Sequence, residues 1–144
     1  MKPAKDRAKI LVVYKHPSDL LMVSCQLRDY NVEALSARSV ALAEEALLRW
    51  SFELVIIDHS MTGVMNVGGL ELVKYVKRYW PATKIVFLLA HENEEARQGA
   101  LDVGVEHILV KTSDAHKIGA AVLDVVRGRK PQQNFGFSCA AELG

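Results

Sequence analysis

The sequence predicts a three-layer, doubly wound α/β domain with five parallel strands in the order 2-1-3-4-5 and five helices. Short apolar runs rich in β-branched residues recur at 10–13 (ILVV), 54–57 (LVII), 84–90 (KIVFLLA) and 107–110 (HILV). Continuous apolar runs of this length suit strands buried on both faces of a parallel sheet. Between them lie stretches whose apolar residues recur at helical spacing. Strands alternating with helices require right-handed crossovers, with helices covering both faces. In a five-unit sheet of this order the carboxyl ends of the first and third strands meet at the switch point, where ligands and chemistry sit.

The first strand, 10–13, is ended by Tyr14, Lys15, His16 and Pro17. Ser18 can cap a helix to residue 30, with Leu20, Leu21, Val23 and Leu27 on its apolar face. Residues 31–37 form a short second strand. Ser39 can cap a second helix reaching residue 50, with Ala43, Leu47 and Trp50 on one stripe. The third strand, 54–57, is preceded by Phe52 and carries Asp58 at its carboxyl end. A loop with Gly63, Gly68 and Gly69 follows, reading as flexible. The third helix, 70–79, spaces Leu70, Val73 and Val76, and Pro81 stops it. After the fourth strand, 84–90, a helix over 92–103 ends at Gly104 as its C-terminal cap. The fifth strand, 107–110, passes through Lys111, Thr112 and Ser113 to a last helix over 114–127. Ile118, Ala121, Val122 and Val125 form its buried face. Residues 1–8 read as an N-terminal extension, 9–127 as the domain and 128–144 as a flexible tail or linker.

A chain of 144 residues, half of them hydrophobic and 24% charged, is enough for one globular domain with a real core. Eighteen basic and seventeen acidic residues leave a net charge of +1. Nothing there favours nucleic acid or a membrane surface as a partner. There is no 18-residue apolar run, and 10–13 is too short for a signal peptide, so the expected location is the cytoplasm. Cys25 and Cys139 are too few and too distant for a disulfide framework and read as reduced thiols.

The strand ends gather Tyr14, Lys15 and His16, then Asp58 and His59, then Leu89, Ala90 and His91, then Lys111. A carboxylate can accept a phosphoryl group and a nearby ammonium can hold its oxygens, so Asp58 and Lys111 fit phosphoryl chemistry. They are equally readable as a loop-end aspartate and a surface lysine. His16, His59 and His91 could together ligate a transition metal, but each comes from a different strand end, and exposed loop histidines are the ordinary reading. Residues 91–95 (HENEE) lack the second histidine of a zincin helix. Residues 63–69 (GVMNVGG) match neither phosphate-loop pattern. Ser18, Ser60 and Ser113 sit in no nucleophile elbow. An enzyme is not expected.

The runs KILVV (9–13), ELVIIDHSMTG (53–63), LELVKYVKR (70–78), KIVFLLAH (84–91) and ALDVGVEHILVK (100–111) together resemble the receiver domain of two-component response regulators, over roughly residues 8–127. The resemblance implies a flavodoxin-like (CheY-like) fold, Asp58 as the phospho-acceptor and Lys111 as its phosphate contact. Gly63 and Gly104 match the family's loop glycines. Receivers of this family end the first strand with two acidic residues that hold Mg²⁺; here those positions are Tyr14 and Lys15. Leu89 stands where the family ends the fourth strand with a hydroxyl residue, and Ile108 where it carries the aromatic switch of the fifth strand. Thr62 and Thr112 replace two prolines, and the loop after Asp58 is longer than usual. Phosphoryl transfer needs the metal to neutralise developing charge.

The expected function is therefore an atypical or pseudo-receiver in bacterial two-component phosphorelay signalling, with weak or no phosphorylation, acting through protein–protein interaction. The implied partners are a histidine kinase, an output protein or a twin subunit, with homodimerisation through the fourth helix, fifth strand and fifth helix. Lys15 in the metal's place, with Lys111, would flank Asp58 and favour its ionised form; it reads equally as a lysine pointing into solvent. The alternatives are an ordinary phospho-accepting receiver, and a small-ligand or nucleotide-binding domain using the same crevice.

Overall fold

The computed structural model describes residues 8–14, 32–59, 68–110 and 115–128, the side chains of 115–117 excepted. Five strands, β1 (Ala8–Val13), β2 (Val32–Ala37), β3 (Leu54–Asp58), β4 (Lys84–Leu89) and β5 (His107–Val110), form one sheet in the order β2-β1-β3-β4-β5. Every pairing is parallel, with Ile10 opposite Leu54, Leu54 opposite Lys84 and Val86 opposite His107. This is the order the strand–helix alternation predicts. Four helices are described: α1 (Val40–Arg49), α2 (Gly69–Tyr79), α3 (Glu94–Val103) and α4 (Ala115–Val126). The helix expected after Ser18 lies outside the described residues, as do Cys25, the loop with Gly63, Thr62 and Ser60, Thr112 and Ser113, and the tail with Cys139. β1 begins at Ala8, two residues before its apolar run.

The sheet is covered on both faces. On one, Leu11, Val13, Val55, Ile57, Phe87 and Leu89 pack against α1, α2 and α3 through Ala43, Leu47, Val73, Val76 and Ala100. On the other, Ile10, Val12, Leu54, Ile56, Val86 and Leu88 meet Ile118, Ala121, Val122 and Val125 of α4. Burying each large apolar side chain contributes about 1.5–3 kcal/mol. Those gains fix the register, because a one-residue slip would exchange the two faces.

The helix ends follow their caps. Ser39 Oγ accepts the Leu42 N–H at 3.1 Å, as its sequence position predicts. Trp50 departs from the expected stripe. The helix stops at Arg49, and Trp50 is an extended C-cap, 39% exposed, with the Arg49 guanidinium over its ring; Ala46 fills its place on the buried face. α3 starts at Glu94 rather than Glu92. Asn93 is the better N-cap, and its Oδ1 accepts the Ala96 N–H at 3.1 Å. Gly104 closes α3 at φ 99°, the left-handed conformation that favours glycine. β4 stops at Leu89, leaving Ala90 exposed.

Side chains close the amino-terminal edge of the sheet. Thr83 Oγ1 donates to the Phe52 carbonyl at 3.0 Å. Lys84 Nζ donates to the Val125 carbonyl in the last turn of α4 at 3.0 Å. Glu106 joins three elements: its carboxylate accepts two bonds from Lys77 Nζ of α2, at 2.9 and 2.8 Å, and the Ile85 N–H of β4 at 2.7 Å. Its own N–H donates to the Ile85 carbonyl. Removing an acceptor from an N–H at a buried residue costs about 1–3 kcal/mol. Glu106→Ala is accordingly expected to lower unfolding stability by about 2 kcal/mol. Urea denaturation checks this; an unchanged midpoint would show that water replaces the carboxylate freely.

Candidate functional site

β1 and β3 are neighbours, and Val13 stands opposite Ile57. The next residue on each strand, Tyr14 and Asp58, therefore ends its strand beside the other. By strand alternation both follow the α4 side of the sheet, and Tyr14 packs there with Ile10 and Val12. Asp58 is 0% exposed and Tyr14 1% exposed. A buried phenol and a buried carboxylate thus end two neighbouring strands.

The backbone after Asp58 is held on two sides. The His59 N–H donates to the Leu88 carbonyl of β4 at 2.8 Å. From the other side α2 comes down directly on the strand end. A Cβ built on Gly69 would lie 2.5 Å from the Asp58 carbonyl oxygen and 3.0 Å from His59 Cα. Gly69 is glycine because the backbone behind Asp58 occupies the space of a side chain. Gly68, the N-cap before it, makes no side-chain cap bond, and Glu71 supplies the acidic group favoured in a first helical turn. The reading of these two glycines as parts of a flexible loop is corrected: they open a helix packed against the acceptor strand.

Leu89 is fully buried at the end of β4 and Ile108 is 7% exposed in β5; both lie in the core under α1, α2 and α3. Phe87 of β4 stands opposite Ile108. A buried leucine has no hydroxyl to offer a phosphoryl group, and a packed isoleucine has no ring to swing. Among the three histidines, His59 is half-buried with its ring edge against Phe87 at 5.6 Å, and His91 is exposed. His16 lies outside the described residues, and among those described there is no group of three metal-ligating side chains. Lys15 and Lys111 also lie outside them, so the structure sets Tyr14 and Asp58 at neighbouring strand ends, puts Leu89 and Ile108 in one core cluster, and does not place the two lysines.

Mg²⁺ demands near-octahedral oxygen coordination. Among the described residues, the neighbouring ends of β1 and β3 supply one carboxylate, Asp58, and one phenol, Tyr14.

At the face built by α3, β5 and α4, Arg97 binds Glu92 through Nε and Nη2 at 2.8 and 2.9 Å. That hydrogen-bonded pairing holds the Glu92 carboxyl below its usual range and the guanidinium above its own. Outward on α3 stand Glu94, Glu95 and Asp102, with Leu101 51% exposed. Sequence reasoning misread Gly69 as loop and gave no role to Glu106 or His107. A double glycine ahead of an amphipathic run was the available signal for the first. Among the described residues no helix is long and apolar enough to cross a membrane.

The family model for the response regulator receiver domain matches residues 10–123. The response regulator protein PilR of Pseudomonas aeruginosa is 28% identical over 126 residues, covering 88% of this chain and 28% of that protein. The transcriptional regulatory protein RcsB of Escherichia coli K12 is 27% identical over 124 residues, covering 84% and 57%. The chain therefore spans between about a quarter and three-fifths of these relatives' length. Among solved structures, the chemotaxis response regulator CheY4 of Vibrio cholerae superposes with a TM-score of 0.73 at 30% identity, covering 83% of this chain and 98% of that one. RcsB of Salmonella typhimurium superposes with a TM-score of 0.79 at 22% identity, covering 96% and 67%.

Proposed function

The chain belongs to the response regulator receiver family of two-component signalling, and we propose that it signals through protein contact, with Asp58 weakly phosphorylated or not at all. The observation that carries this is the buried Tyr14 ring beside a fully buried Asp58. A phosphodonor must reach the carboxylate, and a metal must sit next to it; the packing opposes both. Leu89 and Ile108 add that a phosphoryl group, once attached, would meet neither the hydroxyl nor the mobile ring that reports it in the family.

In this reading Lys15 and Lys111 neutralise Asp58 in place of metal and phosphate. The domain then acts without enzymatic turnover, as a docking module in the cytoplasm. Its contact surface is the face of α3, β5 and α4, offered to a histidine kinase, an output protein or a twin subunit. The exposed Leu101 among acidic residues supports that assignment.

The test is incubation with acetyl phosphate, and separately with beryllofluoride, with and without Mg²⁺. Intact mass and the amide signals of His59 and Gly69 are the readouts. The expected result is no adduct and no shift. A Mg²⁺-dependent adduct mapped to Asp58 would restore the ordinary phospho-accepting receiver.

A further inference from the structure

His107 opens β5, an edge strand of the sheet, and is only 4% exposed. Its backbone pairs with Val86 of β4. Alternation places it on the same side as Leu109, which packs with Ile118, Val122 and Val125 of α4. Two charged groups act on it from the flanking helices. Burial first, and then the positive charge of Arg97 on α3, hold the imidazole below its ordinary pKa of 6.5; Asp124 on α4 pulls the other way. Among the described residues, three further charges at this edge have other partners. Glu106 is turned to Lys77 and the Ile85 N–H, and Lys84 of β4 reaches the Val125 carbonyl. Arg97 is fixed by its two bonds to Glu92.

We propose that His107 makes the β5–α4 edge of the docking face responsive to protons: with a neutral imidazole the edge packs as described, and a proton taken up there loosens α4 from β5. The assignment of this face to docking rests on the proposed function; the proton response itself does not depend on phosphorylation. Above 6.5 the imidazole is neutral in the packed and the opened edge alike, and the packing is at full strength. As pH falls through that value, the opened edge binds a proton that the packed edge refuses, so packing weakens. The loss stops below the lowered pKa of the packed state, where both forms carry the proton.

Hydrogen exchange of the α4 and β5 amides, corrected for the intrinsic chemical rate, tests this at about pH 7.5 and about pH 5.5. Wild-type α4 is expected to lose protection at the lower pH, by no more than about tenfold, the ceiling that an ordinary imidazole pKa of 6.5 sets at about pH 5.5. The α1 amides should hold theirs, and His107→Gln should be flat. Equal protection at both pH values, the same loss in His107→Gln, or an equal loss in every element would each overturn the proposal. Should His107→Gln fail to fold, the wild-type imidazole followed by NMR decides. A titration in step with the α4 amide shifts supports the switch; a ring that titrates without them, or never titrates, removes it.

Discussion

Replacing both residues after the first strand, Tyr14→Asp with Lys15→Asp, is expected to make Asp58 a Mg²⁺-dependent acceptor of phosphate from acetyl phosphate. A bound metal stabilises a phosphoryl-transfer transition state by several kcal/mol, so the rate should rise on the order of a hundredfold over the natural chain. The same change removes a ring that is 1% exposed and places a carboxylate beside a fully buried one. Without metal the variant should therefore lose about 3 kcal/mol or more of stability, from the cavity and from the repulsion of the two acids. Mg²⁺ binding only to the folded form returns part of that. Two measurements suffice: intact mass against time, and melting temperature with and without Mg²⁺. A destabilised variant that Mg²⁺ neither rescues nor renders reactive would show that the absent acids are not what holds the natural chain back.

Gly69→Ala should destabilise the fold by about 1–3 kcal/mol, the usual cost of overpacking a filled site. Helix propensity alone predicts the opposite sign, since alanine in place of glycine in a helix gains roughly 1 kcal/mol. Geometry decides between them: the new methyl would lie 2.5 Å from the Asp58 carbonyl oxygen, which is backbone and cannot rotate away. Either α2 or the end of β3 must move, so the loss of stability should come with shifted amide signals at Asp58 and His59. Gly99→Ala is the control. Its methyl would meet only the flexible Leu70 side chain, at 3.2 Å. Chemical denaturation of the two variants side by side gives the comparison; equal behaviour would mean that the close approach at Gly69 relaxes at no cost.

Much of the fold was legible in the sequence because its central strands are buried on both faces. Leu54 to Ile57 and Ile85 to Leu89 are fully buried, and their uninterrupted apolar runs say so without any partner being known. Ser39 and Gly104 were legible because a cap is decided by one residue's own chemistry. Trp50 was not: whether an aromatic residue completes a stripe or swings off a helix end depends on where the last turn breaks. The same limit applied to the start of α3, where Asn93 won over Glu92. At the candidate site the sequence named Asp58 and Tyr14 from their places at strand ends, and the resemblance gave them roles, but the burial of both comes from packing between strands distant in sequence. Gly69 was misread because periodicity is blind to how closely two backbones approach. His107 lay in plain view at the head of a strand, and only its neighbours from α3 and α4 give it a role.

The bond from Lys84 to the Val125 carbonyl has a consequence for anything joined to this domain. It ties the last turn of α4 to the start of β4, and the helix closes directly afterwards at Gly128, whose φ is 75°. The last turn of α4 thus stands at the floor of the sheet, at the opposite end from Asp58. A module joined at that turn would be spaced from Asp58 by the full length of the sheet.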